Sequence, residues 1–301
     1  MEGPRYARVA VVFVLSVKVT ALGLAALLAA GCGGGTGGGP GAGGVAGGTG
    51  GRPGSVRPRE LTFPSGVRGT SPRFSPDGAK LAYNRDEGSL NAVAVMSVAG
   101  TDSRNLATDG SYLTAMTWSR DGAEIIYAGD RDLRALPAAG GSSRQVVNAF
   151  AAVGPDLSPD GKSLVYGVNG SNLQLADLTS SPPIVTDLGT PGSAPRFSPD
   201  GRAIAYWSGD TLRVMQLASR ETTDVLTGDA NLGFGGVDWF SDGRLLAGSA
   251  RGVEIVTPGP PVQRHLVSDV FALLDVDLSP DETQVAYAIN GQQSLFVLSG
   301  F

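Results

Sequence analysis

The sequence predicts an all-β protein, a six-bladed β-propeller of four-stranded antiparallel blades, in residues 59–301. Three observations predict it. A phrase centred on Ser-Pro-Asp-Gly recurs six times, about 40 residues apart. Each copy is surrounded by short apolar segments separated by turn residues, which is typical of β-strands. One more strand-like segment precedes the first repeat, and it can supply the strand that the last repeat lacks.

Residues 1–31 are predicted to be an export signal that is not part of the fold. Arg5 and Arg8 form a positive region, and an apolar run follows from Val19 to Ala30. The run ends in Leu-Ala-Ala-Gly-Cys, where the cysteine is Cys32, the only one in the chain. This ending resembles the lipobox of bacterial lipoproteins, whose cysteine becomes the lipid-modified first residue of the mature chain. We therefore expect lipidation at Cys32, with the rest of the chain exported and anchored to the bacterial cell membrane or outer membrane.

An uncleaved transmembrane helix over residues 9–31 is the alternative for this segment, because the run is long enough to span a bilayer. Lys18 would then lie near the centre of the helix. A lysine at that depth costs about 2.5–3.5 kcal/mol, which favours the lipoprotein signal. In both cases residues 59–301 are expected outside the cytoplasm.

Residues 32–58 are predicted to be a flexible tether. Glycine occupies 14 of the positions between residues 33 and 54, and Thr, Ala and Pro fill most of the others. Such a segment has too little apolar surface to fold. As a flexible chain it has a root-mean-square span of roughly 25 Å.

The repeated phrase combines the chemistry of a tight turn with strands on either side. Proline fixes φ, aspartate bonds its own backbone, and glycine adopts the left-handed conformation. The aspartates of the six copies are Asp77, Asp121, Asp160, Asp200, Asp242 and Asp281, with spacings of 44, 39, 40, 42 and 39 residues. The segment from Arg59 to Phe63 is predicted to complete the last blade, which closes the ring and protects an open strand edge. No sustained helical periodicity is present in residues 59–301.

The longer form of the phrase, Phe-Ser-Pro-Asp-Gly-x-x-Leu/Ile-Ala-Tyr, stands at Phe74–Tyr83 and Phe197–Tyr206. It resembles the repeat of the TolB-type β-propeller family, and the similarity covers essentially all of residues 59–301. The resemblance implies a six-bladed propeller in the periplasm that binds peptide segments and a lipoprotein partner. The α/β domain that precedes the propeller in TolB has no counterpart between the tether and the first blade.

The residues that enzymes use are scarce in this chain. One cysteine and one histidine exclude a disulfide framework and a multi-histidine metal centre, and a net charge of -5 argues against nucleic acid. No Gly-x-Ser-x-Gly nucleophile elbow is present. His265 falls in a predicted outer strand and is interpreted as a surface residue. We therefore expect no catalytic residue, no metal and no cofactor.

The central channel is predicted to be lined by the residue that precedes each strand-end aromatic or leucine. These residues are Arg73, Thr117, Asp156, Arg196, Asp238 and Asp277. Asp156 and Asp238 are predicted to form ion pairs with Arg196, and Asp277 with Arg73 across the ring closure. The pairs either hold the blades together only, or leave Arg73 and Arg196 able to bind a peptide carboxylate.

Aromatic side chains are predicted on the connections between each outer strand and the next inner strand. These are Tyr112, Phe150, Phe234 and Phe271. On loops over a rigid scaffold they suit partner recognition. The alternative is that they fill gaps between blades.

Together these features predict a monomeric, lipid-anchored, non-catalytic module of the cell envelope that binds a protein or peptide. From residue 59 onward there are 18 Lys and Arg against 27 Asp and Glu, a net charge of -9, so basic partner segments are favoured. The alternative function is a hydrolase or lactonase-like enzyme that uses a metal in the central channel, and a third possibility is a purely structural module of the envelope.

Overall fold

The computed structural model describes residues 57–88, 90–107, 115–129, 131–168, 171–228, 235–270 and 273–301. All regular secondary structure in these segments is β-strand, and none of them contains a helix able to cross a membrane. The predicted lipidation site at Cys32 lies outside the described residues.

The strands form six sheets of four, and neighbouring strands within a sheet are antiparallel. The first strands of blades 1 to 6 are β2 (Arg68–Phe74), β6 (Met116–Trp118), β10 (Ala152–Leu157), β14 (Ser193–Phe197), β18 (Val237–Trp239) and β22 (Leu273–Leu278). The second strands are β3 (Lys80–Asp86), β7 (Glu124–Ala128), β11 (Ser163–Val168), β15 (Ala203–Ser208), β19 (Leu245–Ser249) and β23 (Gln284–Ile289). The third strands are β4 (Asn91–Ser97), β8 (Asp132–Pro137), β12 (Asn172–Asp177), β16 (Thr211–Gln216), β20 (Gly252–Thr257) and β24 (Leu295–Ser299). The fourth strands are β5 (Arg104–Ala107), β9 (Arg144–Asn148), β13 (Ile184–Pro191), β17 (Thr222–Leu226), β21 (Gln263–Ser268) and, for blade 6, β1 (Arg59–Leu61).

The first strands of successive blades contact one another around the ring, so they line the axis. The predicted six-bladed propeller of four-stranded antiparallel blades is thereby confirmed. The blades are packed together by apolar side chains on the faces of the sheets. Five of the second strands contribute a buried tyrosine to this packing: Tyr83, Tyr127, Tyr166, Tyr206 and Tyr287.

The repeated phrase forms the turn between the first and second strands, and its aspartate is bonded within that turn. In blade 1 the Ser75 hydroxyl donates to Asp77 Oδ1 at 2.5 Å, and the Ala79 N–H donates to the same oxygen at 3.0 Å. Ser75 Oγ in turn accepts the Lys80 N–H at 2.9 Å. These hydrogen bonds, that of Ser75 first, hold the pKa of Asp77 below its usual range. The aspartates of the phrase are thus turn residues, as the sequence indicates.

The ring is closed by the N-terminal strand, as predicted. β1 pairs with β24, with Glu60 opposite Phe296. The strand ends at Leu61, two residues earlier than the sequence suggests, and the Phe63 ring beyond it lies 5.3 Å from the ring of Tyr83. Leu61 is buried in the core that joins blade 6 to blade 1. The first-made and last-made strands of the propeller therefore share one blade.

Substituting Leu61→Ala tests this closure. Leu61 is 4% exposed, so the truncation is expected to lower the free energy of unfolding by about 2–5 kcal/mol, measured by urea denaturation. The matched control is Ile184→Ala on β13, where the side chain is 60% exposed and the change is expected to be within about 0.5 kcal/mol. Equal, small losses in the two variants would show that β1 is not part of the cooperative fold.

Candidate functional site

The two ends of the channel have different backbone elements around them. Each first strand starts at the connection face, which carries the links from the fourth strand of one blade to the first strand of the next. It ends at the turn face, which carries the Ser-Asp turns. The turns between second and third strands return to the connection face, because neighbouring strands are antiparallel.

Near the turn face, six residues form an inner ring, one from each blade. They are Arg73, Thr117, Asp156, Arg196, Asp238 and Asp277. Each aspartate of this ring accepts a backbone N–H of the following blade. The bonds run from Phe197 to Asp156 at 2.8 Å, from Leu278 to Asp238 at 2.8 Å and from Phe74 to Asp277 at 2.7 Å. Three of the six blade junctions are therefore fixed by a carboxylate.

The other three junctions use side-chain donors at the same level of the channel. The Trp118 indole N–H donates to the Arg73 carbonyl at 3.1 Å, and the Trp239 indole N–H donates to the Arg196 carbonyl at 3.1 Å. The Thr117 hydroxyl donates to Asp156 Oδ1 at 3.3 Å. Every junction between first strands thus carries a hydrogen bond that involves an inner-ring residue.

Arg73 is buried in an ion-pair cluster at the closing junction. Its Nη2 donates to Asp275 Oδ2 at 2.7 Å, its Nε lies 3.6 Å from Asp277 Oδ1, and its Nη1 donates to the Pro72 carbonyl at 2.7 Å. The predicted pairing of Arg73 with Asp277 is therefore present, but Asp275 makes the shorter contact. Sequence reasoning missed Asp275, although its position two residues before an inner-ring residue was the available signal. Removing one partner of such a buried pair typically costs about 3–5 kcal/mol.

Arg196 is equally buried, yet it has no carboxylate partner. Its Nη1 donates to the Pro195 carbonyl at 3.0 Å, and its Nη2 has no hydrogen-bond partner among the described residues. The predicted ion pairs of Arg196 with Asp156 and Asp238 are wrong. Those carboxylates are instead turned toward the backbone N–H groups of the blades that follow them.

The carboxylates of the inner ring have raised pKa values. Burial in the channel raises the pKa of Asp156 and of Asp238 to about 6, although each accepts a backbone N–H bond that acts in the opposite direction. Burial also raises the pKa of Asp277 well above its usual range, despite the charge of Arg73. The charge of the channel therefore changes in the weakly acidic range.

Toward the connection face, the first strands bulge two residues before the inner ring. Ser71, Gly154 and Ala194, at bulges of blades 1, 3 and 4, have positive φ values of 51°, 57° and 48°, and Gly236, just before β18, has a φ of 70°. For a serine or an alanine this conformation costs roughly 1–2 kcal/mol. At Gly236 a Cβ would lie 2.5 Å from Asp275 Oδ1, so only glycine fits. Bulges re-aim side chains and are frequent beside functional sites.

Two cavities occupy the ends of the channel. The one at the connection face has a volume of about 610 Å³ and is lined by the bulge residues Ser71, Gly154 and Ala194, with Ser171 and Ser208 at the second-to-third turns. The one at the turn face has a volume of about 360 Å³ and is lined by the whole inner ring. The first volume is in the usual range for small-ligand and peptide-segment pockets.

The predicted site residues are only partly brought together. Arg73 lines both cavities and Arg196 lines the turn-face cavity. Phe150 lies on the connection between β9 and β10 and is 73% exposed. Tyr112, Phe234 and Phe271 lie outside the described residues, so their role in partner binding stays a prediction.

The only histidine of the chain, His265, lies on an outer strand and not beside the channel. His265 is exposed on the outermost strand of blade 5, where the sequence places it. Within the described segments, no group of three His, Cys, Asp or Glu side chains is close enough to hold a metal ion.

The six blades and the axial channel define the class of protein, a six-bladed β-propeller, which is commonly a binding module. The family model for the TolB beta propeller domain matches residues 58–219, more than half of the chain. The chain therefore belongs to the TolB beta propeller domain family.

The fold also recurs in a distant solved structure. A chain in the crystal structure of a mitotic checkpoint complex superposes with a TM-score of 0.56 at 12% identity, over 81% of this chain and 93% of that chain. At that identity the likeness shows the fold alone. No curated protein matches the chain in sequence.

Asp156→Asn tests the electrostatics of the inner ring. An unfolded aspartate has a pKa of about 4. Since the folded pKa is about 6, the native state binds more protons than the unfolded state between these values. Asp156 therefore makes the free energy of unfolding fall as the pH rises from about 4 to about 6. Asparagine keeps an oxygen for the Phe197 N–H but does not titrate, so this fall should become shallower, with Asp238, Asp275 and Asp277 supplying what remains.

Asp160→Asn is the matched control, with the opposite sign. The Ser158 hydroxyl lowers the pKa of Asp160, so this turn aspartate stabilises the fold at neutral pH, and its contribution disappears as the pH falls through its folded pKa. Urea denaturation at a series of pH values measures both effects. Parallel curves for Asp156→Asn and the wild type between about pH 4 and 6 would contradict a raised pKa at Asp156.

Proposed function

We propose that this propeller is a non-catalytic binding module, tethered to the bacterial envelope, that takes up a peptide segment of a partner protein at the connection face. The observation that carries the proposal is the connection-face cavity. It combines about 610 Å³ of space with few polar groups, and its walls are strained inner-strand bulges that the ring of blades holds in place.

The chemistry of the cavity suits a polypeptide. The lining includes small side chains such as Ala194, and the hydroxyls of Ser171 and Ser208 can donate and accept hydrogen bonds. Arg73 forms the floor together with Asp275. Phe150, strongly exposed on a neighbouring connection, offers an aromatic contact for a larger partner surface. The net charge of -9 from residue 59 onward favours partners with basic segments.

Ser171→Trp tests the cavity directly. Ser171 is exposed at the rim, so an indole there is expected to obstruct the cavity without changing the fold. Crosslinking in the native envelope should capture a partner with the wild type and lose at least about nine-tenths of it with the variant, a loss of roughly 1.4 kcal/mol in affinity. The matched control is Thr186→Trp on the exposed outermost strand of blade 3, which should retain the partner.

Two outcomes would count against the proposal. Capture of the same partner at the same yield by Ser171→Trp would remove the cavity from the interaction. Turnover of an ester or lactone that depends on added divalent metal would favour the hydrolase alternative over a binding module.

We further propose that Cys32 is the point of attachment to the membrane, as the lipid-modified first residue of the mature chain that remains once residues 1–31 are removed. The apolar run, the small residues before the cysteine and the glycine-rich segment after it support this proposal. Two or more acyl chains give stable anchoring, whereas a single chain gives only marginal binding. The tether would then allow the propeller to move within roughly 25 Å of its anchor.

Cys32→Ser is expected to convert the membrane-bound protein into a released one. Because the acyl chains are the only attachment in this proposal, the variant should move from the detergent phase to the aqueous phase in a phase-partition experiment. A conservative substitution in the tether, Thr36→Ser, serves as the control and should leave the protein in the detergent phase. If Cys32→Ser stays membrane-bound, the apolar run itself is the anchor and the transmembrane alternative holds.

A further inference from the structure

Blades 1 and 4, on opposite sides of the channel, repeat the same arrangement around an arginine. Arg73 and Arg196 each donate Nη1 to the carbonyl of the proline that precedes them. The backbone carbonyl of each arginine accepts the indole N–H of a tryptophan from the next blade, Trp118 for Arg73 and Trp239 for Arg196. The two halves of the ring are therefore close copies of each other at this level.

The similarity extends to the blade that precedes each arginine. Asp277, before Arg73, accepts the Phe74 N–H, and Asp156, before Arg196, accepts the Phe197 N–H. The neighbourhood of one arginine can therefore serve as a template for the other.

The Asp275 carboxylate beside Arg73 has no counterpart beside Arg196 in the described part of the chain. The carboxylate that binds Arg73 Nη2 at 2.7 Å belongs to Asp275, two residues before Asp277. The residue two positions before Asp156 is Gly154, which has no side chain. Accordingly Nη2 is bonded at Arg73, whereas at Arg196 it has no hydrogen-bond partner among the described residues.

The backbone at Gly154 leaves no space for a carboxylate of the protein's own. Its φ is +57°, and a Cβ would lie 3.1 Å from the Cα of Ala194 in the next blade. Gly154 lines the connection-face cavity and Arg196, only 3% exposed, lines the turn-face cavity. At the template site, Arg73 lines both cavities and Asp275 lines the connection-face cavity.

We propose that Arg196 binds a carboxylate supplied by a ligand, in the place that Asp275 occupies beside Arg73. A guanidinium already oriented by its Pro195 contact and shielded from bulk water makes a strong charge-assisted hydrogen bond to such a group. A C-terminal carboxylate and an acidic side chain present the same chemistry. The inference rests on the proposed peptide-binding function only for the source of the carboxylate.

The first experiment uses acetate as the probe and the purified full chain in non-ionic detergent. Acetate at millimolar concentrations should raise the Tm by mass action and change the tryptophan fluorescence, because Trp239 is bonded to the carbonyl of Arg196. Acetamide, its neutral isostere, and chloride at equal ionic strength should do neither. Equal effects of acetate and acetamide, equal effects of acetate and chloride, or no effect of acetate on the wild type, would each overturn the proposal.

Variants assign the effect to Arg196. Arg196→Met should weaken acetate binding by about tenfold or more, because the charge-assisted bond is lost. Arg196→Lys keeps the charge but not the planar fork, so its affinity for acetate should lie between those of the wild type and Arg196→Met. Arg202→Met removes a nearby exposed charge of the same blade and should leave the dissociation constant within about twofold. Unchanged affinity in Arg196→Met would overturn the proposal.

Stability without ligand separates this role from a structural one. Arg196→Met should not lower the Tm, because no buried carboxylate loses its partner. Arg73→Met should lower the Tm by several degrees, because it leaves Asp275 and Asp277 unpaired. A loss of stability in Arg196→Met as large as in Arg73→Met would show that Arg196 is structural and overturn the proposal.

Peptide probes then distinguish the sources. Triglycine with a free C-terminus against its amide tests a terminal carboxylate, and N-acetyl-aspartate amide against N-acetyl-asparagine amide tests a side chain. A rise in Tm with either acidic probe that is lost in Arg196→Met supports the proposal and identifies the source of the carboxylate. If neither acidic probe raised the Tm, the proposal would be overturned. That failure would leave the proposed function standing, since Ser171→Trp tests it without reference to Arg196.

Discussion

The propeller depends on a set of hydrogen bonds around its axis. Each junction between the first strands of neighbouring blades has at least one of them. The six sheets are not joined in one backbone ladder, so side-chain packing and individual hydrogen bonds such as these fix one blade against another. Where the inner ring offers an aspartate, the next blade donates a backbone N–H. Where it offers an arginine, the next blade donates a tryptophan N–H to the arginine carbonyl. Either way, the residues that hold the ring together also line the channel.

This overlap gives the channel its chemistry. Asp156 and Asp238 are placed in the channel by their structural bonds, and there burial raises the pKa of each to about 6. Arg73 is neutralised within the protein, whereas Arg196 is positioned by the same contacts without a carboxylate. Among the two arginines of the inner ring, Arg196 is the one without a carboxylate partner in the described segments, and for this reason the proposed ligand carboxylate is placed beside it.

The sequence predicts the fold well because each repeat contains its own turn chemistry. Ser, Pro, Asp and Gly specify the turn locally, and a period near 40 residues then fixes the number of strands. The site is harder to predict, since it depends on which side chains of different blades contact each other in the ring. The left-handed conformation of Ser71 and Ala194, the contact of Asp275 with Arg73, and the orientation of Asp156 away from Arg196 arise from contacts between blades that strand periodicity does not encode. Comparing the six repeats position by position was the available route to Gly154.

The pairing of β1 with β24 also determines when the last blade can be completed during folding. During synthesis, residues 59–61 emerge early, and their partners 295–297 emerge after blades 1 to 5. Blade 6 therefore stays incomplete until the end of the chain arrives, and a pairing this distant in sequence forms slowly because loop closure must be met first. Until then, the edge of β1 and the apolar side chain of Leu61 are open to wrong partners. A nascent propeller of this design needs protection from aggregation for as long as its last forty residues are missing.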